Sequence, residues 1–159
     1  MELAPKDLAP MELALDEARA AAARGEVPVG AVVLAFDGTV LARAGNAVEA
    51  RHDASAHAEL LALRAAAAAR GATRLTDCDL VVTLEPCPMC AEAIMQARVS
   101  KVVFCAFDQL YGAMGSAFDL YVKGRPFPLP AVEGGLMQQE CRRLVQEFFK
   151  GRRAENNKA

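Results

Sequence analysis

The sequence predicts an α/β sandwich in which an antiparallel hairpin is joined to parallel strands. Three observations point to it. Two apolar, β-type runs flank an Asp37-Gly38 turn signal. Short, buried-type strand runs then alternate with longer helical stretches. Helix starts and stops fall between them, which gives the order helix, hairpin, helix, strand, helix, strand.

Each element has a local reason. Pro10 suits a first helical position and Gly25 a stop, with Leu13, Leu15 and Ala18 toward one side between them, so a helix is expected over 10–24. Val29 to Phe36 is β-branched and apolar, and Thr39 to Ala44 is its returning strand. Asn46 to Ser55 is polar and loop-like. Ala56 to Arg70 is a second helix, with Ser55 as a potential N-cap and Gly71 beyond its end. Leu80 to Leu84 is a short strand, Cys87 to Ala97 a third helix, and Lys101 to Ala106 the next strand. Asp108 to Ser116 is a loop with a short turn. Gly124 to Pro130 holds too many prolines to be regular. Val132 begins a last strand, and Met137 to Arg153 a last helix.

The chain has 159 residues, 53% hydrophobic and 24% charged, which fits one compact domain over 1–159 and excludes a disordered chain. Within it, 137–159 is expected to form a C-terminal helix and a basic tail. No apolar run reaches the ~18 residues of a membrane span. Met1 to Pro10 lacks a signal-peptide core, so a cytoplasmic protein is expected. Five cysteines without an export signal argue against a disulfide framework and for metal binding or burial. Cys78, Cys105 and Cys141 are expected as buried small residues. The net charge of −2 gives no general pull toward polyanions. Its distribution is uneven: Arg142, Arg143, Lys150, Arg152, Arg153 and Lys158 face only Glu147 and Glu155 after residue 140. A basic end on an acidic body points to a local nucleic-acid contact or to a solvated helix terminus.

The chemistry lies in His57-Ala58-Glu59 and Pro86-Cys87-Pro88-Met89-Cys90. One imidazole and two thiols make a three-ligand zinc site with an open fourth position, the composition of a catalytic centre. The i, i+3 spacing puts both sulfurs on one helix face. A helix N-terminus favours thiolate, the form that binds zinc. Zinc lowers the pKa of water to near ~7. Glu59, beside the metal, is the natural proton carrier for hydrolytic attack on an amino-bearing ring carbon with release of ammonia. Two alternatives compete. Cys87 and Cys90 could be a redox dithiol, or His52 could close a four-ligand structural site with His57 and both cysteines, which leaves Glu59 without a role.

The H-x-E…P-C-x-x-C pattern is that of zinc nucleobase deaminases. Beyond it, the chain resembles bacterial tRNA-specific adenosine deaminases over nearly its whole length. The resemblance rests on Glu26 to Val32, Asn46, Arg51 to Glu59, Thr83 to Cys90, Asp108, Gly112 to Ser116, Glu133 to Gly135 and the Phe148 to Arg153 ending. It implies a three-layer α/β/α sandwich with a mixed, cytidine-deaminase-like central sheet, a homodimer, and one zinc per subunit. It implies hydrolysis of adenosine to inosine at wobble position 34 of a tRNA anticodon loop, with arginine tRNA the expected substrate. It makes His57, Cys87 and Cys90 the metal ligands and Glu59 the proton shuttle. Asn46 would then hydrogen-bond the flipped adenine, Asp108 the ribose side, and Phe149 would pack on the splayed loop.

Plainer roles exist for those three: Asn46 shaping a turn, Asp108 capping one, and the two phenylalanines in the core. One segment departs from the family pattern. Cys105 and Leu110 stand where relatives commonly have a small residue and a lysine. If that lysine holds RNA, then Lys101, Lys123 or the basic C-terminus has to compensate. The rival functions are a deaminase of free bases or nucleosides and a noncatalytic zinc-stabilised module.

Overall fold

The computed structural model of the protein describes residues 5–122 and 124–159, so Met1–Ala4 and Lys123 lie outside the described residues. Five strands form one mixed sheet: β1 (Gly30–Leu34), β2 (Val40–Gly45), β3 (Asp79–Leu84), β4 (Lys101–Ala106) and β5 (Ala131–Gly134). Their order is β2-β1-β3-β4-β5. β1 pairs antiparallel with β2 and β3, while β3–β4 and β4–β5 are parallel. The helices are α1 (Pro5–Ala23), the single turn α2 (Val48–Arg51), α3 (Ala58–Arg70), α4 (Pro88–Ala97) and α5 (Gln138–Asn156).

Strand alternation divides the core into two layers. Ala31, Val33, Leu80, Val82, Val102 and Phe104 face one way, where Ala58, Ala62, Leu63 and Ala66 of α3 and Ile94 of α4 cover them. Val32, Leu34, Val81, Val103 and Cys105 face the other way, under Met11, Ala14 and Leu15 of α1 and Cys141 of α5. This is the expected α/β/α sandwich. The alanine-rich helices let backbone approach backbone. At Gly30 a Cβ would overlap the main chain of α1 at Ala14 and Ala18. Gly30→Ala is therefore expected to destabilise by at least about 3 kcal/mol, the upper range of overpacking in a rigid core, measured by urea unfolding.

The structure corrects several local expectations. α1 already includes Pro5 and runs through Pro10. Pro10 lies near the helix start, so it forfeits one backbone bond there. The N-terminal turns are anchored instead by buried Asp7, whose carboxylate lies 2.9 Å from Lys101 Nζ. The Asp37-Gly38 turn is not a two-residue loop. Gly38 N–H donates to Ala35 C=O and Ala35 N–H to Thr39 C=O, which encloses Phe36, Asp37 and a left-handed Gly38. That is the three-residue hairpin geometry with glycine at the αL position. The polar 46–55 segment contains α2, and the last helix continues three residues past Arg153 to Asn156.

Cys105 and Cys141 are buried, as expected, but they are joined in a disulfide. Their Cα atoms are 6.2 Å apart across 36 residues because α5 lies over β4. That distance suits a bridge, and only the packing of helix on sheet creates it. Cys78, Cys87 and Cys90 are free.

Candidate active site

The site forms at the carboxyl ends of β3 and β4, where open α/β sheets present their loops. Leu84 pairs with Ala106, so Glu85 to Cys87 leave the sheet beside Phe107 and Asp108. Two helices start at this edge. His57 is the N-cap of α3, and Cys87 is the N-cap of α4, followed by Pro88 at the first helical position. Proline suits that position because its missing N–H has no partner to lose.

His57 Nδ1 lies 3.6 Å from Cys87 Sγ and 3.5 Å from Cys90 Sγ. The three ligand atoms all lie within 4.8 Å of one another. Tetrahedral bonds to zinc of usual length put N and S about 3.6 Å apart, so the trio fits the ion. Cys90 is fully buried, and the half-buried Cys87 and His57 face a cavity of about 840 Å³. A zinc ion held by these three residues would keep its remaining coordination position for this cavity, which His57 and Cys87 line. His52 does not join the group. It is exposed, with a left-handed backbone at the end of α2. Among the described residues the closed four-ligand site is absent.

Electrostatics prepare the trio. A hydrogen bond from Cys90 and one with His57 bring the Cys87 thiol down to about 4. The same hydrogen bond and burial push the Cys90 thiol up. The bond to Cys87 raises His57 from its ordinary value, helped by the negative charges of Glu59 and Cys87. Glu59 is 4% exposed, and burial pushes its carboxyl up to about 7. Its Oε2 is buried without a hydrogen-bond partner. A buried polar atom left unpaired needs a reason, and a proton carrier aimed at a reacting centre supplies one.

The remaining expected residues also line the cavity, with changed detail. Asn46 is 7% exposed, and its Oδ1 accepts the Ala58 N–H at 2.9 Å. It thus satisfies the first helical N–H of α3, the part expected of Ser55, which instead hydrogen-bonds Asp53. Asp108 Oδ1 accepts the Leu110 and Tyr111 N–H groups at 2.9 and 3.1 Å. Phe149 is 44% exposed and meets Phe148 edge to face, with ring centroids 5.4 Å apart. Arg152 lies over Phe148 and donates to the Gly25 carbonyl, which closes α5 over the cavity rim.

Sequence reasoning placed Arg142 in the basic end without assigning it to the site and missed Gln146; both line the same wall as Phe149 and Arg152. Their helical spacing on α5 is the signal that was there to find. It also missed the buried carboxylates of Glu26 and Glu85. Lys101 cannot compensate for Leu110, because Asp7 and Glu133 hold its ammonium.

Residues 5–106 match the cytidine and deoxycytidylate deaminase zinc-binding region. The chain is 43% identical to the tRNA-specific adenosine deaminase of Agrobacterium fabrum, over 92% of this chain and 95% of that protein. It is 47% identical to the tRNA(Ile)-lysidine synthase of Deinococcus radiodurans over 88% of its length, yet spans only 25% of that longer protein. A solved structure from studies of A-to-I editing by tRNA:A34 deaminases at the wobble position of transfer RNA superposes with a TM-score of 0.82. Identity there is 43%, covering 86% of this chain and 99% of that one. The chain belongs to the zinc-binding cytidine and deoxycytidylate deaminase group and, within it, to the tRNA-specific adenosine deaminase family.

Proposed function

We infer that this protein hydrolytically deaminates adenosine 34 of a tRNA anticodon loop to inosine. One observation carries the inference. The cavity lined by His57, Cys87 and buried Glu59 is walled by an α5 face bearing Arg142, Gln146, Phe149 and Arg152. Aromatic and cationic faces at the mouth of a deaminase cavity suit an unstacked loop nucleotide and its phosphates. A free base needs no such wall. The names of the relatives support the same substrate.

His57, Cys87 and Cys90 would hold the zinc, which when bound would supply Lewis-acid activation of water for attack on the amino-bearing carbon. Glu59 takes the proton that water gives up as its oxygen bonds to that carbon. It delivers this proton to the neighbouring ring nitrogen. A second proton passes through Glu59 from the new hydroxyl to the amine, the C–N bond breaks, and ammonia leaves. A carboxyl near neutrality is matched to both directions of transfer. Asn46 spends Oδ1 on the helix cap and offers Nδ2 to an acceptor on the purine edge. Asp108 spends Oδ1 on its turn and offers Oδ2 to a ribose hydroxyl. Phe149 packs on the extruded loop.

The active unit is a homodimer and the substrate an arginine tRNA, as the family resemblance implies. The protein works in the cytoplasm, beside its tRNA. Among the described residues no helix is long and apolar enough to cross a membrane. Both sulfurs of the Cys105–Cys141 bridge are closed to solvent, and restricted access slows exchange with soluble thiols.

The direct test compares ammonia release from anticodon stem-loops bearing adenosine 34 with release from free bases and nucleosides. Mass spectrometry locates the inosine. Turnover is expected on the stem-loop, and turnover confined to the small molecules would overturn the assignment.

A further inference from the structure

We propose that Glu85 is a positioning residue whose buried carboxylate fastens the 107–116 loop and so sets where Asp108, Leu110 and Tyr111 meet the substrate. Glu85 is 2% exposed. Among the described residues no cation pairs with it. Its partners are backbone N–H groups: Oε2 accepts from Asp108 at 3.1 Å, and Oε1 from Met114 at 3.0 Å and Ser116 at 3.1 Å. A buried carboxylate is costly unless its oxygens are satisfied, and charge-assisted bonds of this kind are the stronger ones. One side chain thus gathers the beginning and the end of a loop that otherwise has little regular structure.

The loop is shaped to receive it. At Gly112 a Cβ would overlap the Glu85 carboxyl and the Asp108 carbonyl, so glycine lets the loop close down on the anchor. Main-chain bonds reinforce the contact: Glu85 N–H to Ala106 C=O and Ala113 N–H to Pro86 C=O, both 2.8 Å. The consequence reaches the cavity. Asp108 lies at the start of the loop, and Leu110 and Tyr111, 76% and 65% exposed, stand at the mouth. Glu26 does the same for another part of the rim, where its carboxylate accepts the Glu49 and Ala50 N–H groups at 3.2 and 2.8 Å.

The kinetic part of the test rests on the proposed reaction; the exchange part needs no substrate. The zinc-loaded full chain is compared with Glu85→Gln, Glu85→Ala and Gly112→Ala. In Glu85→Gln one oxygen becomes a donor. The remaining oxygen goes to the pair of N–H groups, so amide hydrogen exchange is expected to speed up at Asp108 while Met114 and Ser116 stay protected. Glu85→Ala frees all three amides. Gly112→Ala speeds exchange at Asp108 from the opposite side of the contact. In Glu85→Gln the KM for the adenosine-34 stem-loop is expected to rise about tenfold, the loss of one charge-assisted bond, with kcat and zinc content held. Unchanged exchange at Asp108 in Glu85→Gln, or faster exchange with an unchanged KM, overturns the proposal. A wild-type protein that turns over no RNA refutes the function instead, and the exchange pattern still decides the role of Glu85.

Discussion

Glu59→Gln is expected to keep its zinc and lose deamination. The substitution removes no metal ligand, since His57, Cys87 and Cys90 supply the donor atoms that lie together. It removes the group proposed to move two protons in each turnover. General acid–base groups are worth up to about ten-thousandfold, so kcat should fall by about a thousandfold or more while metal analysis still finds the ion. A variant that retains wild-type turnover would return Glu59 to a structural role.

The same substitution carries a pH signature in the metal-free protein. Burial raises the Glu59 carboxyl from 4.5 to about 7. Between those values the folded state binds more protons than the unfolded state, so this group lowers stability as pH rises through the window. Glutamine carries no such penalty. The metal-free variant should match wild type below the lower value and exceed it by about 3 kcal/mol above pH 7. Denaturant unfolding at several pH values reads this directly, and a constant difference across the window would contradict it.

Cys87→Ala is expected to lose zinc and, with it, all detectable activity. Two ligands remain in a site whose geometry fits three, and metal-site binding energy is also folding energy. The thermal midpoint should fall toward that of chelator-treated wild type, and activity should not return on adding zinc. His52→Ala is the control: an exposed side chain outside the ligand group should leave metal content untouched. Full zinc occupancy in Cys87→Ala, or loss of zinc in His52→Ala, would refute the ligand assignment.

The metal trio was legible in the sequence because each half of its motif is local. Cys87 and Cys90 share a helix turn and His57 and Glu59 lie two residues apart, so spacing fixes each pair, while the fold closes the 30 residues between His57 and Cys87. The strands were legible for a similar reason, since buried β-branched runs such as Val102 to Phe104 have few other places to go. Asn46 was legible as a site residue but not in its chemistry. Its Oδ1 reaches α3 across a register that no local pattern encodes.

What the sequence determined alone is therefore the donor set, the acid/base partner and the strand-and-helix alphabet. Each is read from residue types and from spacings of a few positions, where covalent geometry dictates distance; the meeting of His57 with the two cysteines belongs to the fold. Only the tertiary structure decided that Cys105 meets Cys141, that Glu85 gathers the 107–116 loop, and that α5 walls the cavity. Those contacts span dozens of residues. They exist because the two helical layers bury opposite faces of one sheet, and that packing, not chain proximity, sets which groups touch.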